Sequence, residues 1–225
     1  MTQTFNIQVY HGHLIMNCNG NEVLLDTGSP MTLGKGQTLE FMGRSVRCEE
    51  SAMGYSFDTI KQQLGRDIDA LLGMDTLGSL CMLVDCEAGE VVFSDEPMAP
   101  DNAVNFPLLV SPVGVMTEVD GKVVKLVVDS GAQLSYFDEQ LLEGLEPTDV
   151  REDFYPGIGT FEVPVYDVMI DLDGIQLQAQ CGAIPASVLM DISKINVGGV
   201  IGQDLFASHK VAFDFQQRNM YIFNN

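Results

Sequence analysis

Twice in 225 residues this chain runs a pair of large apolar residues into Asp, a hydroxyl residue and Gly. The first copy is Leu24-Leu25-Asp26-Thr27-Gly28-Ser29 and the second is Val127-Val128-Asp129-Ser130-Gly131-Ala132. The likeness continues past the triplets, with Met31-Thr32-Leu33 standing where Leu134-Ser135-Tyr136 stands. A second landmark also recurs, Leu71-Leu72-Gly73-Met74-Asp75 against Val200-Ile201-Gly202-Gln203-Asp204. Twelve residues beyond each of those glycines comes another Asp, Asp85 or Asp214. Both halves then close on a short apolar run, Val91-Val92-Phe93 or Met220-Tyr221-Ile222-Phe223. One Asp-Thr-Gly alone is ordinary turn chemistry. Two landmarks in the same order and local spacing point to a chain built as two related halves.

The local patterns are those of strands. Phe5-Asn6-Ile7-Gln8-Val9 alternates with period two, as a half-buried strand does. Leu14 to Cys18 and Val23 to Leu25 flank Asn19-Gly20-Asn21, which reads as a hairpin turn. Val113 to Val119 and Val123 to Val128 flank Asp120-Gly121 in the same way, so each Asp motif follows the second strand of a hairpin. Helical segments are few and short: Phe57 to Leu64, Asp138 to Gly144, and a turn after each apolar-apolar-Gly landmark. The stretch Asp95 to Asn105, with Pro97 and Pro100 and no strong periodicity, marks the boundary between the halves.

On these motifs the chain resembles the aspartic proteases of the pepsin and retropepsin clan. The resemblance covers nearly the whole chain in pattern, but only the Asp triplets and apolar-apolar-Gly landmarks are specific. It implies an all-β fold of two pseudo-symmetric retropepsin-like barrel lobes, residues 1–98 and 99–225, each close to retropepsin size. The N-terminal strand Phe5 to Val9 and the C-terminal strand Asn219 to Phe223 are expected to join a sheet between the lobes. Asp26 and Asp129 are the implied catalytic pair. Two carboxylates held close share one proton, so one serves as general base on a water while the other donates to the substrate carbonyl. Which of them holds the proton is not legible, because such a pair titrates as a unit.

The same resemblance gives the neighbouring residues their roles. Thr27 and Ser130 cross-bond the two loops. Gly28 and Gly131 suit a tight loop whose N–H groups face the carboxylates. Ser29 is placed to bond an outer carboxylate oxygen, a support that Ala132 cannot supply in the second copy. Leu71-Leu72-Gly73 and Val200-Ile201-Gly202 are expected beneath the catalytic loops, holding them by packing.

The halves differ in length: Asp26 to Gly73 spans 47 residues and Asp129 to Gly202 spans 73. The excess matches a β-hairpin with its connections. Tyr155-Pro156-Gly157-Ile158-Gly159-Thr160-Phe161 reads as its glycine-bearing tip, followed by alternating Val163 and Val165 and then Val168, Ile170 and Leu172 in shifted phase. By resemblance this is a flap that closes over substrate, with Tyr155, Gly157, Ile158 and Gly159 at its tip. The first half has only a short remnant, Ser51-Ala52-Met53-Gly54-Tyr55, beside the helical Phe57 to Leu64. The family's single-chain members carry the flap in the first lobe, so this placement leaves the substrate direction open.

Charge and composition narrow the partners. Eleven basic residues against 32 acidic ones leave a net charge of −21, which disfavours nucleic acid and anionic membranes. The expected partner is a peptide or unfolded protein substrate, and one chain suffices as a monomer because it supplies both Asp loops. No cofactor or metal is expected: His11 and His13 lack a clear third ligand, and the five cysteines form no metal or disulfide pattern. Free thiols, and an N-terminal stretch without a basic head or apolar run, point to the cytoplasm. The principal alternative is a catalytically silent module that keeps the fold and binds extended peptides by strand pairing. A second alternative is an interaction protein in which the loops are only fold elements.

Overall fold

The structure is a computed structural model and describes residues 1–52, 54–110, 112–119, 122–155, 159–184 and 197–224. It is mostly β. Strands from both halves form one ten-stranded sheet, in the order Ala103–Pro107, Asn219–Phe223, Val211–Asp214, Cys81–Asp85, Glu90–Ser94, Thr2–Tyr10, His13–Cys18, Asn21–Leu25, Ala70–Leu72 and Leu33–Gly34. At its middle, Cys81–Asp85 of the first half pairs antiparallel with Val211–Asp214 of the second, Cys81 opposite Asp214 and Val84 opposite Val211. The N-terminal and C-terminal strands therefore share a sheet, as the resemblance implies.

An eight-stranded sheet belongs to the second half, in the order Leu109–Val110, Val113–Val119, Lys122–Val128, Gly199–Ile201, Ser135–Phe137, Ile175–Ala183, Gly159–Leu172 and Asp149–Tyr155. The two halves repeat one unusual pairing. Val23–Leu25 runs parallel to Ala70–Leu72, and Leu126–Val128 runs parallel to Gly199–Ile201. In each half a further short strand pairs antiparallel with that last strand, Leu33 opposite Leu71 and Tyr136 opposite Val200. The apolar-apolar-Gly landmarks are thus the strands that lie beside the Asp-bearing ones.

Local chemistry explains the turns. Asn19 and Gly20, at φ 54° and 90°, make the two-residue connection between Cys18 and Asn21. Such a turn needs positive φ at both residues, which Asn and Gly tolerate best. The recurring Asp85 and Asp214 close their hairpins alike: Asp85 accepts the Ala88 N–H at 2.9 Å and Asp214 the Gln217 N–H at 2.8 Å. Ser56 caps the helix Phe57–Leu64 by accepting the Thr59 N–H at 3.2 Å, and Gly65 ends it at φ 64°. The turns after Gly73 and Gly202 are the helices Met74–Leu77 and Gln203–Ser208, while Asp138 to Gly144 holds only the 3-10 turn Glu139–Leu141.

The main core draws on both halves, including Phe41, Phe93, Phe206, Phe213, Ile170 and Leu177. In the long strand Gly159–Leu172 the buried residues change phase. Val163 and Val165 pack with Leu134, whereas Val168, Ile170 and Leu172 join the main core. The phase break seen in the sequence is therefore one strand passing from one packing face to another. The end of the boundary stretch is already strand: Ala103–Pro107 pairs with Asn219–Phe223. Val104 and Phe106 supply its alternation, and Pro107 is tolerated because this strand is at the sheet edge. The expected turn Asp120-Gly121 lies outside the described residues. Among the described residues no helix is long and apolar enough to cross a membrane.

Candidate active site

Each Asp motif leaves its strand at the point where the landmark strand ends beside it. The Asp26 N–H bonds the Leu72 carbonyl at 3.1 Å, and the Asp129 N–H bonds the Ile201 carbonyl at 2.9 Å. The loops that follow meet one another. Thr27 Oγ1 accepts the Ser130 N–H at 3.0 Å and donates to the Val128 carbonyl at 2.9 Å. Ser130 Oγ accepts the Thr27 N–H at 3.0 Å and donates to the Leu25 carbonyl at 2.9 Å. Four reciprocal bonds, all buried, therefore lock two loops that are 103 residues apart. Only a hydroxyl both donates and accepts here, which is why Thr and Ser occupy these positions.

The lock brings the two carboxyl groups side by side, each bearing on the other's charge. Gly28 and Gly131 donate their N–H groups to Asp26 Oδ1 at 2.9 Å and to Asp129 Oδ1 at 2.8 Å. Their small size matters as much. A Cβ on Gly28 would stand 2.2 Å from Asp129 Oδ2, and one on Gly131 would stand 2.5 Å from Asp26 Cγ. Each glycine thus makes room for the opposite carboxylate. Both Asp side chains are half-buried and Gly28 is exposed, so the pair is reachable from one side.

The two carboxyls have unequal surroundings. Burial and the adjacent Asp129 charge push Asp26 well above the usual carboxylate range, against N–H donation from Ser29 and Gly28. Burial also raises Asp129, but the Gly131 N–H, the Asp26 proton, the Gly28 N–H and nearby His13 all oppose the rise. Burial therefore raises both carboxyls, and the pair titrates as a unit that holds one proton between its two ionisation steps.

Ser29 acts differently from expectation. Its backbone N–H, at 2.8 Å, reaches Asp26 Oδ1, while its hydroxyl donates to the Met31 carbonyl at 2.8 Å. The hydroxyl is committed to the turn, so the one-sided support of the carboxylate comes from the main chain. In the second copy the Ala132 N–H instead bonds the Asp129 carbonyl at 3.3 Å.

A tier below the loops carried no assignment from the sequence. Thr32 Oγ1 lies 2.6 Å from Asp75 Oδ1 and 2.7 Å from Thr76 Oγ1, and it accepts the Gly73 N–H at 3.2 Å. Ser135 Oγ repeats this, donating to Asp204 Oδ2 at 2.7 Å and accepting the Gly202 N–H at 3.1 Å. Thr32 and Ser135 are fully buried. Gly73 and Gly202 allow the approach, since a Cβ would stand 2.4 Å from the Met31 carbonyl oxygen or 2.5 Å from that of Ala132. The signal was present in the recurrence of Asp75 and Asp204 two residues after each Gly.

The expected flap is a hairpin of Asp149–Tyr155 and Gly159–Leu172, with Tyr155 opposite Gly159. Gly157 and Ile158 lie outside the described residues, and Gly159 takes φ 90°. The first-half remnant is a small hairpin, Ser51–Ala52 with Tyr55–Ser56, whose Met53 is outside the described residues. Its half-buried Tyr55 contacts the Ser29 side chain and lies within electrostatic reach of Asp26, Tyr155 and Asp129. Burial first, then Asp26, Tyr155 and Asp129, pushes the Tyr55 phenol up to about 12, against the Ser29 hydroxyl. Tyr55 thus stands in electrostatic reach of both the carboxyl pair and Tyr155 of the other half. Near the tip of the longer hairpin, the Tyr136 hydroxyl donates to Asp153, and its ring packs against Phe161.

Neither family models nor curated proteins show a match to this chain.

Proposed function

We propose that this protein is an aspartic endopeptidase of the pepsin and retropepsin clan, built from two retropepsin-like lobes in one chain. The observation that carries the reading is the reciprocal Thr27–Ser130 lock, which sets two carboxyls side by side, where they can share one proton. The unequal surroundings of the pair support one division of roles. Ionised Asp129 takes a proton from water as its oxygen attacks the peptide carbonyl carbon, and Asp26 gives its proton to the carbonyl oxygen. Collapse of the resulting diol breaks the C–N bond, as one diol hydroxyl returns a proton to Asp26 and the proton on Asp129 passes to the amide nitrogen. Tyr55 and the Asp149–Tyr155 hairpin bracket an extended peptide and limit water access. Catalysis needs no metal in this scheme, and one chain is sufficient.

The test is digestion of a mixed peptide library from acid to neutral pH, with Asp129→Asn as control. Cleavage that disappears in the control supports the reading, and the cut sites define the subsites. A folded wild-type protein that binds peptides without cleaving them at any pH would establish the silent binding module instead.

A further inference from the structure

The turn between Thr2–Tyr10 and His13–Cys18 touches the opposite half of the chain. His11 and Gly12 form a two-residue turn at φ 47° and 79°. Gly12 sits so close to Gln133 that a Cβ would stand 2.9 Å from Gln133 Cγ. The next residue, His13, places Nδ1 3.0 Å from the Gly131 carbonyl oxygen. A carbonyl only accepts, so Nδ1 carries hydrogen and Nε2 is the nitrogen that titrates. The first half therefore grips the loop that holds Asp129. Nothing in the described residues of the second half returns an equivalent histidine to the Asp26 loop, since the remaining one, His209, follows the helix Gln203–Ser208.

We propose that His13 is a positioning residue for the carboxyl pair: it holds the Gly131 carbonyl and, when protonated, favours the carboxylate on Asp129 and leaves the shared proton on Asp26. The proposal rests on the aspartic-protease reading for its catalytic consequence, but not for the coupling itself. The groups facing His13 are Asp129 on the gripped loop, Asp153 on the Asp149–Tyr155 strand, and His11 on its own turn. Burial lowers the imidazole from its ordinary value and His11 adds to this, while the Gly131 carbonyl, Asp153 and Asp129 oppose it. His13 is consequently charged in acid and neutral above. Its charge stabilises the singly ionised pair against the doubly protonated one, which extends the singly ionised state to lower pH.

The test compares wild type with His13→Gln, which keeps an N–H donor but loses the charge, and His13→Met, which loses both. Titration of the Asp carboxyl carbons by NMR in the full chain reads the pair directly, with Asp26→Asn and Asp129→Asn assigning the signals. The lower of the two ionisation steps is expected to rise by at least about half a pH unit in His13→Gln. The acid limb of peptide cleavage should rise with it, while the upper step stays in place. His13→Met should show the same rise plus a lower kcat, because the loop loses its grip. Identical lower steps in wild type and His13→Gln overturn the proposal. A shifted carboxyl titration in a protein that cleaves nothing sustains the coupling and defeats only the protease reading.

Discussion

Replacing Thr27 with alanine asks whether the two Asp loops are held by each other. The Thr27 side chain is 2% exposed, and its hydroxyl satisfies the Ser130 N–H and the Val128 carbonyl. Alanine strands both groups. Each unsatisfied buried group costs about 1–3 kcal/mol, so two cost about 2–6 kcal/mol, and partial entry of water places the sum in the lower half, about 3 kcal/mol. With a urea slope of about 2–3 kcal/mol per molar, the unfolding midpoint falls by about 1–1.5 M. Thr27→Ser keeps both bonds and loses one methyl group, so it should cost only about 1 kcal/mol. Circular dichroism is the suitable probe because the chain has no Trp. Ser130→Ala removes the partner hydroxyl, and the double variant should be less destabilised than the two singles added together, because the second change acts on a loop already released. The reasoning is refuted if Thr27→Ala leaves the midpoint unmoved, or if Thr27→Ser falls as far as Thr27→Ala.

Three further outcomes follow from the same geometry. Gly131→Ala places a methyl 2.5 Å from Asp26 Cγ, so the carboxyls must separate; a displacement of about 1 Å lowers kcat by about 100-fold, read on a peptide substrate. Asp26→Asn should abolish cleavage yet raise stability at neutral pH. The folded Asp26 carboxyl is raised above its unfolded value of about 3.9, so its favourable contribution is complete below that pH and lost as pH rises through the folded value. Melting curves of wild type and Asp26→Asn should therefore converge in acid and diverge towards neutrality; divergence in acid alone would falsify the assignment. Tyr136→Phe frees Asp153, costs about 1 kcal/mol, and should speed amide hydrogen exchange in Asp149–Tyr155 while leaving Cys81–Asp85 slow.

Much of the site is legible in the sequence because its chemistry is local and repeated. The Asp-Thr/Ser-Gly triplets, the apolar-apolar-Gly strands and the extra hairpin of the second half are contiguous patterns, each with its own spacing. The hairpin turn at Asn19-Gly20 and the capped helix Phe57–Leu64 are legible for the same reason. What escapes such reading depends on partners far apart in the chain. Thr32 and Ser135 are single hydroxyls in apolar surroundings, and only folding sets them against Asp75 and Asp204. Ser29 has the right residue type for one role, and the backbone geometry gives its hydroxyl another.

The sequence by itself determined that two similar halves exist, that both are made of strands, and that each presents one Asp on a glycine loop. Periodicity and turn chemistry act over a few residues, so a linear reading captures them. The tertiary structure alone decided that the loops interlock and that the two carboxyls meet in unequal surroundings. It also set His13 of one half against the loop of the other. Those outcomes depend on burial and charge at contacts spanning about half the chain, and an unfolded carboxylate, hydroxyl or imidazole carries no trace of the neighbour it will meet.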